Sequence, residues 1–154
     1  MSYKVNKTSI LQTEDNPSSQ SVSTSYIEPT GSRAYLNFSG NSAKIYYEYS
    51  FYAYQASTKP IFLHIKLQKS NDNFTSDIED IAGCNFNFSG DTEESPPDDQ
   101  YQSITPMFVI DSCDKRYLRL FVRAYSASHA ATLHRSTQWD DSTSADVYYN
   151  PSLI

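Results

Sequence analysis

The sequence predicts an all-β fold, a two-sheet antiparallel β-sandwich of the jelly-roll kind with about eight strands, and three observations carry that expectation. Apolar residues recur with period two from residue 21 onward, the spacing of strands with one buried face. The composition favours pleated sheet, with 13 Tyr, 8 Phe, 24 Ser and 11 Thr among 154 residues. No long stretch shows the spacing of an amphipathic helix. The length fits one domain. At 14% aromatic the chain is too rich in rings for disorder, and with 4 Gly and 7 Pro it is not collagen-like. No apolar run approaches the ~18 residues of a membrane helix. Met1–Lys7 lacks the apolar core of a secretory signal, so neither membrane insertion nor export is expected.

Residues 1–20 carry almost no pattern. Ile10 and Leu11 are an isolated apolar pair ahead of the polar run Glu14-Asp15-Asn16-Pro17-Ser18-Ser19-Gln20. This segment reads as an anchoring arm outside the domain, which spans 21–154. Ser21 to Ile27 is expected as a first strand, closed by the turn Glu28-Pro29-Thr30-Gly31. Arg33 to Phe38 follows. Lys44 to Tyr54 is the strongest strand, with Ile45, Tyr47, Tyr49, Phe51 and Ala53 on one face and Tyr46, Glu48, Ser50, Tyr52 and Tyr54 on the other. After Pro60, Ile61, Leu63, Ile65 and Leu67 alternate with outward Phe62, His64, Lys66 and Gln68. Further strands are expected at Ile81–Phe88, Tyr101–Ile110, Tyr117–Tyr125 and Asp146–Tyr149. Helical spacing of Phe74, Ile78 and Ile81 marks one short candidate helix at Asn73–Ile81. The tetrapeptide Asn-Phe-Ser-Gly at 37–40 and 87–90 reads as shared turn chemistry.

Enzyme motifs are missing from the chain: it has no phosphate loop, no nucleophile elbow, no His-Glu-x-x-His and no Cys-x-x-Cys. The protein is therefore expected not to be an enzyme, and no catalytic, cofactor or metal ligand is assigned. The histidines His64, His129 and His134 read as ordinary strand and loop residues. Charge is uneven within the net of −6. Eleven acids and no Lys or Arg lie between Lys69 and Lys115, five of them in the loop 91–99. That loop matches no Ca²⁺-binding template and reads as solvated. Lys115, Arg116, Arg119 and Arg123 form the one basic concentration, too small in an acidic chain for a nucleic-acid funnel. They are expected to pair with the acidic region or across an interface. Cys84 and Cys113 are expected as reduced thiols, and the four sequons as accidents of composition.

Tyrosine is the residual excess. Flat, rigid and amphipathic, it suits contact with another subunit or with a sugar ring. The interface candidates are Ile10, Leu11, Tyr46, Tyr52, Tyr54, Arg119 and Arg123. The glycan-binding candidates are Tyr52, Tyr54 and Trp139.

The segment Ser25-Tyr26-Ile27-Glu28-Pro29-Thr30-Gly31-Ser32, continued by Tyr35-Leu36-Asn37-Phe38-Ser39-Gly40-Asn41-Ser42-Ala43-Lys44-Ile45-Tyr46-Tyr47-Glu48-Tyr49-Ser50-Phe51, resembles a recurring segment of virion structural proteins of marine tailed bacteriophages, cyanophage-like viruses included. Ile61 to Leu67 is similar to the next strand of those sequences. The resemblance implies a β-sandwich decoration, appendage or fibre subunit, often a homotrimer. Its partners would be other virion proteins of capsid or tail, with a host glycan as the alternative ligand, and its location the virion, assembled in the host cytoplasm. It carries no functional side chain over to this sequence.

Overall fold

The alternation becomes twelve strands in a computed structural model that describes residues 19–55, 60–88, 100–138 and 146–149. They are β1 (Gln20–Val22), β2 (Ala34–Tyr35), β3 (Ala43–Glu48), β4 (Phe51–Gln55), β5 (Ile61–Ser70), β6 (Glu79–Phe88), β7 (Gln100–Ile104), β8 (Met107–Cys113), β9 (Tyr117–Ala124), β10 (Ala131–Leu133), β11 (Arg135–Gln138) and β12 (Asp146–Tyr149). One sheet has the order β1-β10-β4-β7, the other β2-β9-β5-β6, while β3 pairs with β8 and β11 with β12. Every pairing is antiparallel.

β3 and β4 continue each other across a bend, as do β7 and β8. Counted as single bent strands and lettered B to I in chain order, the strands give sheets B-I-D-G and C-H-E-F. That is the jelly-roll order, with the β11–β12 hairpin added after it.

The expected strand Lys44–Tyr54 is thus two strands, and so is the expected Tyr101–Ile110. Pro106 stands opposite Tyr49 in the ribbon and has no N–H to give, so the ladder keeps a single bond there, Tyr49 N–H to the Pro106 carbonyl at 3.3 Å. The first expected strand is also divided. β1 ends at Val22, and the chain then crosses to the second sheet. There Ser23 accepts from Ala124 N–H at 2.7 Å, and Ile27 exchanges two 2.8 Å bonds with Val122. The expected helix near Asn73 is a loop instead. The Asp72 carboxylate takes the N–H groups of Thr75, Ser76 and Asp77 at 3.1, 2.8 and 3.0 Å, and Asn73 and Phe74 adopt positive φ of 57° and 64°. Local hydrogen bonding to an Asp side chain outcompetes helix in such a stretch. Among the described residues the one helical turn is a 3-10 turn at Ala127–His129.

The inner faces are as the period predicts. Leu63, Leu67, Leu118, Leu120, Val122 and Ala124 are fully buried against Phe51, Ala53 and Leu133. Tyr47 and Tyr49 are buried too, and their hydroxyls donate to the carbonyls of Ser32 and Thr30, the latter at 2.5 Å. Burial pushes the Tyr47 phenol well above its ordinary pKa. Two of the thirteen tyrosines are therefore core residues with a polar tip fixed on the loop after Glu28. Residues 1–18 of the anchoring arm, with Ile10 and Leu11, lie outside the described residues, as do the acidic loop 91–99 and Trp139, whereas Gln20, expected to end the arm, opens β1 and bonds to Glu28 and Thr30.

Candidate interaction surfaces

The outer face of the bent ribbon is built by period two from both of its strands. Tyr46, Glu48, Ser50 and Tyr52 point outward from β3–β4. Tyr46, Glu48 and Tyr52 have Val109, Met107 and Ser103 as ladder partners, and at the bend between them Ser50 and Thr105 are joined by a hydroxyl–hydroxyl bond of 2.8 Å. Tyr46, Met107 and Val109 are 69%, 65% and 54% exposed, which makes them a contiguous apolar patch in water. One end of the patch is closed by an ion pair between Lys44 and Asp111 at 2.9 Å, whose ammonium also lies 5.6 Å from the Tyr46 ring. At the other end stands Glu48, with no ion-pair partner among the described residues. Tyr46 and Tyr52 are thus placed on one outward face as expected. Tyr54 is not: it is only 7% exposed. Its position follows from β10, which lies beside β4 and pairs Thr132 with Tyr54. Met107 and Val109 escaped notice because Met107-Phe108-Val109-Ile110 is apolar at every position, so alternation gives no sign of which two side chains point outward.

The outer face of the second sheet carries a ladder of cations and rings. Arg119 lies between Phe74 and Phe121, with its guanidinium carbon 4.0 and 4.1 Å from the two ring centroids. Its Nε donates to Gln68 at 3.0 Å, and its Nη1 reaches Glu28 at 3.0 Å. Glu28 also receives Arg33 through two bonds of 2.8 and 2.6 Å. Arg119 is only 8% exposed and therefore no interface residue; it is the centre of an internal network. Arg123 is half-buried, 3.1 Å from His64 Nδ1 and 5.1 Å from the Tyr26 ring, which Lys66 approaches at 4.6 Å. Phe62 stacks on the exposed Tyr125 at 4.7 Å, with His64 and His129 edge-on.

The acidic stretch is less bare than its sequence. Asp77 pairs with Lys115, Asp80 with Lys66, Glu79 and Asp114 with Lys69, and Asp111 with Lys44. Of the four basic residues from Lys115 to Arg123, Lys115 alone pairs with that stretch among the described residues; Arg116 instead donates to the carbonyls of Phe38 and Gly40. Cys84 is exposed and Cys113 buried, and both are free thiols.

A cleft of about 460 Å³ opens beside β1 and β10, walled by Tyr54 and Gln55 and edged by Ser21, Ser23, Ser128 and Thr132. No group of three or more His, Cys, Asp or Glu side chains suited to a metal occurs among the described residues. Comparison with family models, with curated proteins and with solved structures gives no match.

Proposed function

We propose that this chain is a non-enzymatic structural subunit of a tailed-phage virion, a capsid decoration or a head or tail appendage. In this reading residues 1–20 attach it to other virion proteins, and the Tyr-bearing face of the bent ribbon joins it to copies of itself, a trimer being the state the sequence resemblance implies. The observation that supports self-association is the contiguous exposure of Tyr46, Met107 and Val109 on a sheet face, since monomers seldom leave such patches uncovered. The resemblance of Ser25–Phe51 supports the virion role. Deleting residues 1–18, which stops short of β1, is expected to abolish incorporation into particles while the domain still melts cooperatively. Incorporation of the truncated chain at the full level would remove the arm from the proposal.

The cleft beside β10 favours a second reading, a carbohydrate-binding module for a host surface glycan. A Tyr wall edged by serine and threonine hydroxyls offers hydrogen-bond partners to a sugar ring. Glycan-array binding that Ser128→Arg abolishes would support it, and an array without binding would end it.

A further inference from the structure

We propose that the outer face of β3–β8 pairs with the same face of a second copy across a two-fold axis perpendicular to the strands. This rests on the self-association reading above and specifies its surface, register and symmetry.

The argument is the order of side chains along the face. Three rows cross the two strands: Lys44 with Asp111, Tyr46 with Val109, and Glu48 with Met107. A two-fold axis through the middle row reverses the strand direction in the partner. Tyr46 then meets Tyr46, Val109 meets Val109, and each Lys44 faces the Glu48 of the other copy. Glu48, which finds no cation among the described residues of its own chain, gains one at both ends of the contact. The alternative axis, parallel to the strands, sets Lys44 against an Asp111 it already neighbours and leaves Glu48 over Met107. The perpendicular axis sets Asp111 over Met107 instead, but Asp111 keeps its own Lys44 there, so this axis alone gives both carboxylates a cation. Self-complementarity of this kind is what an isologous interface requires.

A three-fold assembly brings unlike patches together, so this two-fold contact does not itself close the trimer that the resemblance implies: alone it yields a dimer, and it joins in pairs any trimers closed through another surface. Two strands make a narrow contact, and stable standard interfaces bury about 1,200 Å² or more, so association is expected to depend on concentration.

Sedimentation equilibrium of the full chain and of two charge variants tests the register. Glu48→Lys and Lys44→Glu are each expected to weaken dimerisation at least tenfold, because every contact then sets like charges together. Mixed one to one, they are expected to form a heterodimer. The Lys44→Glu chain carries a carboxylate at both positions and the Glu48→Lys chain an ammonium at both, so each contact in the mixed pair joins opposite charges. Val109→Asp, at an exposed position, should also disperse the dimer with an unchanged circular dichroism spectrum. An oligomer indifferent to these changes, a wild-type trimer, or a mixture that stays monomeric overturns the two-fold pairing and leaves self-association through another surface standing. A wild-type chain monomeric at its solubility limit overturns both.

Discussion

His134 is the residue whose chemistry is most dependent on the fold. It is fully buried at positive φ of 62°, its N–H bonded to the Tyr52 carbonyl at 2.8 Å and its ring 3.2 Å from Gln20. Desolvation lowers its pKa from 6.5 to about 4. The unfolded chain therefore takes up this proton first as pH falls. Stability is complete above about pH 6.5 and declines toward pH 4, by about 3 kcal/mol in all. His134→Asn, which tolerates the left-handed backbone, is expected to flatten that slope in urea melts between pH 4 and 7. Glu28 makes a second prediction at this scale. It bridges Arg33 and the buried Arg119, so Glu28→Gln should cost about 2 kcal/mol in urea unfolding, less than a fully buried pair because its side chain keeps some solvent. Neither role was legible in the sequence. His134 reads there as one of three scattered histidines, and the Glu28–Arg119 pair spans ninety-one residues that no local pattern connects.

At the scale of elements, alternation made the buried sides of the long strands readable. Leu63, Ile65 and Leu67 in β5 and Leu118, Leu120 and Val122 in β9 face inward as their period requires. Leu120→Ala, in the strand flanked by β2 and β5, is expected to cost about 2–5 kcal/mol, read as a fall in the urea midpoint. Where the sequence misled, something other than burial set the geometry. Pro106 divides a ribbon that alternates without interruption from Ile45 to Ala53. Asp72 draws three backbone N–H groups toward itself and so cancels the apparent helix of Phe74, Ile78 and Ile81. Its carboxyl is held far below the usual range, first by the Ser76 hydroxyl and then by backbone N–H and Ser70 donors. Asp72→Ala is accordingly expected to raise amide exchange across residues 73–77 while leaving β5 and β9 protected. Equal loss of protection in those strands would show that the loop is no separate unit.

For the whole molecule, the fold class followed from period and composition, because a sandwich is the way to bury many half-apolar strands at once. The interaction surface was only half legible. Tyr46 and Tyr52 stood out by type, whereas Met107 and Val109 needed the neighbouring strand to show which way they point. Arg119 pointed to an interface and proved internal, because Gln68 and Glu28 converge on it from β5 and from the loop ahead of β2.

The place of β9 between β5 on one side and Ile27, Ala34 and Tyr35 on the other also sets a timetable for synthesis. The β5–β6 hairpin leaves the ribosome with a row of leucines and isoleucines and no third strand. About 30 to 36 more residues must be added before β9 arrives, roughly 2–7 s at about 5–20 residues per second. During that interval the newborn hairpin offers other chains the edge that β9 will later occupy. Chains released at Lys115 should therefore aggregate and pellet at low speed, and chains extended past Leu133 should stay in the supernatant. Pausing of translation between Phe88 and Ala124 is expected to lengthen that exposure.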